Sequence, residues 1–348
     1  MLIAFFVNDM EREFVNYTTT VLAHEAVRRG HKACYITPGD FVMLPDDSMQ
    51  IHARMAPAKK HKTHAEFFKA MEAVGDKTTE LAMTDVDVLW LRNDPSLDAQ
   101  SAPWAADAGI LFGREAVKRG VLVLNDPNSL SLAVNKMYFQ SFPDAVRAET
   151  LITKHAADVK EFAKSHGGEC ILKPLQGSGG SGVFKVGKKN ESNINQMIEA
   201  ITRDGYIIAQ AYVAAAAKGD IRLFIMNGQP LRIGKKYAAL RRVSAEDDIR
   251  SNIHAGGKAV AVEIGETELR VAEAIRPKLI ADGMFLVGID IVGDKILEVN
   301  VFSPGNLHSC MKLAGANFAE PIIASVERKV EISKEFSSAF NNKALAMM

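Results

Sequence analysis

Cys170-Ile-Leu-Lys-Pro-Leu-Gln-Gly-Ser-Gly-Gly-Ser-Gly-Val-Phe-Lys-Val186 is the stretch on which the reading of the fold turns. The apolar run around Lys173 predicts a buried strand, and Val183-Phe-Lys-Val186 alternates as a second strand does. Between them lies a glycine-rich turn. Glycine lets backbone N–H groups approach anionic oxygens closely, and the Lys173 ammonium adds a point charge, so the segment suits a polyphosphate. Dinucleotide-binding and P-loop sequences open a helix after their glycines, whereas this run returns into a strand. A β-hairpin lid over phosphates is therefore expected.

The composition sets the bounds around that lid. A chain of 348 residues with 47% hydrophobic residues is long enough for two or three globular domains. Lysine plus arginine equals aspartate plus glutamate at 42 each, so no global field draws the chain to nucleic acid or to a membrane surface. Any anion site must be local and its partner small. Met1-Leu-Ile-Ala-Phe-Phe-Val7 has no basic leader and meets Asn8-Asp9 early, and no apolar run reaches membrane-spanning length, which points to a cytoplasmic protein. Cys34, Cys170 and Cys310 are widely spaced and read as reduced structural thiols.

Periodicity and punctuation divide the chain into an α/β part followed by α+β parts. Leu2–Val7, a helix over Thr18–Arg29 and Ala33–Ile36 predict an opening βαβ unit with a parallel sheet. Val86–Leu91, a helix over 102–118 and Val121–Leu124 continue it, and the domain over 1–125 ends there. From Ser129 a helix carrying Lys136 is expected to run to Pro143, and with the lid and a helix over Ile194–Thr202 it makes a small unit over 126–209. Antiparallel character takes over in 210–330, through Ile221–Met226, the Asn227-Gly228 turn and Leu231–Ala238, a helix over Glu268–Ala281, a hairpin over Phe285–Phe302 and a helix over 314–326. Residues 331–348 read as a peripheral tail.

A second chemical feature lies in that hairpin. Glu298 and Asn300 stand two apart on a strand, so they share a face at a spacing suited to a hard cation. Asp290 is on the partner strand, where parity decides its role. A simple two-residue Gly293-Asp294 turn pairs it with Leu297 and turns it away; a longer loop or a bulge pairs it with Glu298. A third cluster, Lys235-Lys236, Arg241-Arg242 and Arg250-Ser-Asn-Ile-His-Ala-Gly-Gly-Lys258, offers guanidinium forks and open backbone to a doubly anionic substrate, or a solvated basic loop. Asp220 and Arg222 sit two apart on a strand. His61 and His64 have a spacing a metal could use, but no acidic or cysteine partners lie near them in sequence, and His24 reads as a packing residue.

Taken in order, these pieces resemble the ATP-grasp superfamily and, more closely, the bacterial glutathione synthetases. The resemblance runs from about Leu2 to Val330 through Glu25-Ala-Val-Arg-Arg-Gly30, Asp87-Val-Leu-Trp-Leu-Arg-Asn-Asp-Pro95, Asn135-Lys136, Leu172-Lys-Pro-Leu175, Ala209-Gln-Ala-Tyr-Val213 and Gly219-Asp-Ile-Arg222. It continues through Arg250 and Asn252, Ala255-Gly-Gly257, Gly288-Ile-Asp290, Glu298-Val-Asn300 and Ser303-Pro304. It implies an N-terminal parallel-sheet (pre-ATP-grasp) domain followed by a two-subdomain ATP-grasp fold, with ATP held beneath the lid. It also implies an ATP-dependent ligase that activates a carboxylate as an acyl phosphate and joins it to an amine, cytoplasmic and homo-oligomeric, with Mg²⁺ or Mn²⁺ as the cation.

By position in that family, Lys136 and Lys173 hold phosphates, Gly177, Ser178, Gly179, Gly180 and Ser181 close over them, and Gln210, Tyr212 and Val213 line the adenine pocket. Asp220 belongs to the nucleotide site. Asp290, Glu298 and Asn300 ligate the metal, and Arg222 and Arg250 serve phosphoryl transfer and the acyl phosphate. Arg242, Asn252, Gly256, Gly257, Ser303 and Asn306 face the substrates, an acidic dipeptide or similar carboxylate and an amino-acid amine. Departures from the family pattern gather on this side: Ser251 within Arg-Ser-Asn, Phe302 and Gly305 around Ser303-Pro304, and Tyr17-Thr-Thr19 near the first helix. A related ligase joining another acid and amine is thus the nearest alternative, and an ATP-binding scaffold without turnover a more distant one.

Overall fold

The computed structural model describes Met1 to Met348 except residues 60, 100, 178–180, 188–190, 244–256 and 337–338. β1 (Leu2–Phe6), α1 (Thr18–Arg28) and β2 (Lys32–Ile36) form the expected βαβ unit with parallel strands. The helix gives way at Arg29 to Gly30, whose φ of +92° is left-handed and suits glycine. β3 (Phe41–Met43), β4 (Met49–Met55), α2 (His64–Glu72) and β5 (Thr79–Ala82) come next. They are followed by β6 (Val88–Leu91), the short α3 (Pro95–Asp98) and α4 (Pro103–Ala106), α5 (Ala108–Lys118) and β7 (Leu122–Leu124). The sheet order is β3-β4-β2-β1-β6-β7, with β5 on β4. Its parallel centre reads as near-continuous apolar runs because both faces are covered. The flank is antiparallel, which the sequence did not announce, and the single helix expected over 102–118 breaks at Asp107.

α6 (Pro127–Leu130) leads into the lid unit: β8 (Thr150–Thr153), α7 (Ala156–Ser165), β9 (Cys170–Pro174), β10 (Phe184–Val186), α8 (Ile194–Thr202) and β11 (Ile207–Ala211). The sheet β10-β9-β11-β8 is antiparallel throughout. The long helix expected from Ser129 to Pro143 is absent; Lys136 instead opens a 3-10 segment, Lys136–Ser141. The Asn135 side chain accepts from the Met137 amide and starts a new turn there.

The last unit contains β12 (Asp220–Met226), β13 (Gln229–Pro230), β14 (Arg232–Ile233), β15 (Lys236–Tyr237), β16 (Ala239–Val243), β17 (Lys258–Val260), α9 (Glu266–Ala281), β18 (Leu286–Val292) and β19 (Lys295–Asn300). Its sheet runs β17-β16-β12-β18-β19, with β13 on β12. α10 (Leu307–Ala314), α11 (Ala319–Glu335) and α12 (Asn342–Met347) close the chain, so the helix expected over 314–326 is replaced by two that meet near Gly315. One continuous apolar core runs from Ala4, Phe6 and Leu89 to Leu223, Ile289 and Ile291. The lid unit keeps its own small core, built on Val159, Cys170, Leu172, Val186 and Ile207.

The stretch expected as a peripheral tail is partly core. Leu345 and Ala346 are buried, and the Asn342 amide lies along the free edge of β7. It donates to the Val123 carbonyl and accepts from the Val123 N–H, each at 2.9 Å, in place of a neighbouring strand. Replacing Asn342 with Ala leaves both backbone groups unpaired and should cost about 1–3 kcal/mol, read as a fall in the midpoint of urea unfolding. An unchanged midpoint would show that the edge needs no such partner.

Candidate functional site

The register of the β18–β19 hairpin resolves the parity question. Val292 pairs with Lys295 across a two-residue turn and Ile291 with Ile296, but Asp290 pairs with Glu298. Leu297 is the extra residue of a β-bulge, and this bulge returns Glu298 to the face of Asp290. Asn300 lies opposite Gly288, whose carbonyl accepts from its Nδ2 at 3.4 Å, leaving Oδ1 as an acceptor. No group of three His, Cys, Asp or Glu side chains that could hold a metal occurs among the described residues. The candidate cation site thus consists of two carboxylates and an amide oxygen, a donor set that fits Mg²⁺ or Mn²⁺.

Asp290 is also part of a buried ion network. β12 lies beside β18 and places Arg222 directly opposite Asp290, while β16 places Arg242 opposite Asp220. Arg222 holds both oxygens of Asp290, through Nε to Oδ1 and through Nη2 to Oδ2 at 3.0 Å. Arg242 Nη2 lies 2.5 Å from Asp220 and 2.6 Å from Asp290. Burial opposes the charge on Asp290, but the two guanidiniums outweigh it and hold its pKa down to about 2. Glu298 has no such partner among the described residues. Burial and the facing Asp290 carboxylate push its pKa up, which is the electrostatic signature of a place for a cation.

Across the cleft the lid unit presents two lysines. Lys173, on the face of β9 turned from its core, donates to Gln210 Oε1 at 3.0 Å, and Gln210 in turn donates to Thr150. Lys136 Nζ lies 2.6 Å from the Gly177 carbonyl and ties the 3-10 segment to the start of the lid. Burial and the neighbouring Lys136 lower the Lys173 pKa to about 8, and burial lowers that of Lys136. Both ammoniums are thus held in a place that favours an anion. The cleft between the two sheets measures about 550 Å³ and has Lys136, Lys173, Asp290, Glu298 and Asn300 on its walls.

The other expected residues divide clearly. Gly177, Ser181, Gln210, Tyr212, Val213, Asp220, Arg242 and Ser303 also line the cleft. Arg222 does not line it and acts from behind, through Asp290. Gly257 and Asn306 lie outside the lining, Asn306 as the left-handed residue that opens α10. Ser178, Gly179, Gly180, Arg250, Asn252 and Gly256 fall outside the described residues. Lys185, on β10, sits 3.5 Å from the centre of the Tyr212 ring, a contact that the alternation of Val183–Val186 could have flagged. Thr150, Phe139 and Phe302 line the cleft as well, and no motif marked the first two. The discounted histidines do meet, with His24 Nδ1 2.8 Å from His64 Nδ1, away from this cleft.

Two family models together match almost the whole chain: "Prokaryotic glutathione synthetase, N-terminal domain" over residues 1–131 and "Prokaryotic glutathione synthetase, ATP-grasp domain" over residues 135–315. A glutathione synthetase of Gloeobacter violaceus is 32% identical over 93% of this chain and 95% of its own length. One of Mesorhizobium japonicum is 33% identical over 90% and 93%. Among solved structures, D-cycloserine synthetase DcsG aligns over 94% of this chain and 99% of its own, with a TM-score of 0.65 at 14% identity. The ATP-grasp ligase PsnB with minimal precursor, Mg and ADP aligns over 94% and 98%, with a TM-score of 0.54 at 15% identity. At those identities the likeness is one of fold.

The two carboxylates of the hairpin should respond oppositely to neutralisation. Asp290→Asn strands the buried Arg222 guanidinium, while Arg242 keeps Asp220, and should destabilise the chain by about 3–5 kcal/mol in urea unfolding. Glu298→Gln removes a charge that its surroundings oppose, so stability at neutral pH should hold or rise. Equal losses in the two variants would contradict this assignment of partners. The lysines give a pH dependence. Lys173 carries its charge below about pH 8 and loses it as pH rises through that value, and a bound polyanion restores the proton. Nucleotide binding near pH 8.5 should therefore take up protons, measurable by calorimetry in buffers of different ionisation enthalpy; binding with no proton uptake would refute it.

Proposed function

The chain belongs to the prokaryotic glutathione synthetase family, and from that premise we propose that this cleft joins γ-glutamylcysteine to glycine with ATP, releasing ADP and phosphate. It is an ATP-dependent ligase acting on small molecules. The observation that carries the reading is the convergence of Lys136, Lys173, Asp290, Glu298 and Asn300 on one cleft from three separate parts of the chain. Phosphoryl transfer needs positioning and charge neutralisation more than a protein nucleophile, and no nucleophile is required of these residues.

In this reading Lys136 and Lys173 neutralise the phosphate chain, and Gln210, Tyr212 and Val213 border the adenine. Asp290, Glu298 and Asn300 would hold Mg²⁺ or Mn²⁺, which would supply positive charge to offset that of the phosphates. The acid's carboxylate oxygen takes the terminal phosphoryl group as the bond to ADP breaks. The amine then forms the C–N bond as phosphate leaves, and its proton passes to phosphate or water. Arg222 and Arg242 keep Asp290 ionised and aligned, and Asp220 holds Arg242 in place, so their part is to position it. Gly177 and Ser181 flank the lid that excludes water from the acyl phosphate. Ser178, Gly179 and Gly180 complete that lid, Arg250 steadies the acyl phosphate, and Asn252, Gly256, Gly257, Ser303 and Asn306 serve the substrates.

We further propose a homo-oligomer located in the cytoplasm. Trp104, Leu111 and Leu97, all exposed on α3 to α5, support the first, and no described helix is long and apolar enough to cross a membrane. A lid unit with its own core supports domain limits near 125 and 209, whereas residue 330 falls within α11.

ADP release from ATP and Mg²⁺ should rise strongly when γ-glutamylcysteine and glycine are added together, followed by a coupled assay. Absence of that stimulation, with another acid and amine active instead, would replace this pairing by a related ligase. Glu298→Gln should cut kcat by about 100-fold or more while leaving ATP binding within reach of measurement, as expected for a group that acts on charge developed in the transition state.

A further inference from the structure

Lys173, which the lid unit turns into the cleft, ends a hydrogen-bond chain that begins on another strand. β11 lies between β9 and β8, with Gln210 directly opposite Thr150 of β8 and Ile208 directly opposite Lys173 of β9. Residues opposite one another, or two apart along a strand, share a face, so Thr150, Gln210 and Lys173 form a diagonal row on one side of the sheet. All three line the cleft. The row is bonded throughout: Lys173 Nζ donates to Gln210 Oε1 at 3.0 Å, Gln210 Nε2 donates to Thr150 Oγ1 at 3.1 Å, and Thr150 Oγ1 donates to the Ala148 carbonyl at 2.8 Å. Gln210 and Ala148 are both buried.

The direction of this chain is fixed at its far end. A carbonyl only accepts and a hydroxyl has one proton, so Thr150 gives that proton to Ala148 and can only accept from Gln210. The group that Gln210 turns toward Thr150 must then be its NH₂, which leaves Oε1 for Lys173. Without the hydroxyl nothing in this row sets the amide, and the opposite orientation puts a donor against the ammonium. Among the described residues, the hydrogen bond to Gln210 is the one that the Lys173 side chain makes. Burial and the Lys136 ammonium, offset in part by Glu298 of β19, hold the Lys173 pKa down to about 8. Lys185 of β10 is turned to the Tyr212 ring, and the Phe139 ring centre lies 5.8 Å from Lys173 Nζ.

We propose that Thr150 is a positioning residue for the nucleotide: by fixing which way the Gln210 amide faces, it keeps the Lys173 ammonium charged and aimed at the phosphates. It acts through Gln210 and not on the nucleotide itself. This assignment rests on the ligase reading above and adds to it a residue that neither a motif nor a strand spacing marked.

The test is binding of Mg²⁺ and ATP to the full chain by titration calorimetry between about pH 7 and 9, above the phosphates' own titration near about pH 6. In the native chain the affinity should fall as pH rises through about 8, where Lys173 without nucleotide loses its proton. Thr150→Val keeps the shape and removes the hydroxyl. It should weaken binding about 10-fold at about pH 7.5 and start the fall about one pH unit lower, since a hydrogen bond to a charged group is worth about tenfold or more. Thr150→Ser keeps the hydroxyl and should restore both. In a Gln210→Ala background, where there is no amide to orient, Thr150→Val should change nothing further. Native affinity and a native pH profile in Thr150→Val would overturn the proposal. So would a loss that is the same at every pH, that serine does not restore, or that persists in full in the Gln210→Ala background, because the threonine would then serve the strand alone. If the native chain does not bind Mg²⁺ and ATP, the ligase reading fails and this one with it; equal binding by the native chain and Thr150→Val removes the positioning role alone. Should Thr150→Val not fold, Thr150→Ala takes its place in each comparison.

Discussion

Asp290 is the residue on which the site depends, because two arginines that cannot shed their charge are buried against it. Arg222 reaches it from the adjacent strand β12, and Arg242 from β16 beyond, shared with Asp220. Desolvating four charges is expensive, and a well-packed apolar face would often be as stable. What the network supplies is position. It permits one register of β16, β12 and β18, keeps Asp290 ionised at any physiological pH, and sets that fixed negative charge against Glu298. The bulge at Leu297 completes the arrangement, since without the extra residue Glu298 would face the opposite side.

The same cleft is built from two bodies with separate cores. β18 and β19 belong to a sheet whose apolar face merges with that of the N-terminal domain, so the carboxylates sit on the larger mass. Lys173 sits on a small antiparallel sheet with its own cluster under α7 and α8, whereas Lys136 opens the 3-10 segment whose Tyr138 and Phe139 pack in the larger core. The cleft thus brings Lys173, from a body with a separate core, to face carboxylates on the larger one. Lys173 sits below its ordinary pKa and Glu298 above its own, so the cleft favours an anion beside the one and a cation beside the other. A polyphosphate with its cation would relieve both at once.

Much of this was legible in the residues, for reasons that can be stated. Strand features with period two were readable: Lys173 beside a glycine run that returns to a strand, and Glu298 and Asn300 two apart. The βαβ opening was readable because parallel strands buried on both faces are continuous apolar runs. The antiparallel flank was not, because β3 and β5 are short and their pairing with β4 is set by the sheet they join. The helix expected from Ser129 failed on a local choice, Asn135 capping a fresh turn. α12 read as tail because the worth of Asn342 depends on an edge strand more than two hundred residues earlier in the chain.

The roles of Arg242 and Arg222 show where pattern reading stops. Both arginines sit in motifs that suggest contact with a ligand, and both spend their guanidiniums on buried carboxylates. Arg92 is the reverse case. It stands in the Asp87–Pro95 motif without an assigned role, yet its Nη1 is a buried donor that has no hydrogen-bond partner. Spacing along a strand tells which side chains share a face, but only the hydrogen-bond account tells which of them already have a partner. In a cleft dense with charge, the groups still open to a ligand are those that this account leaves unpaired.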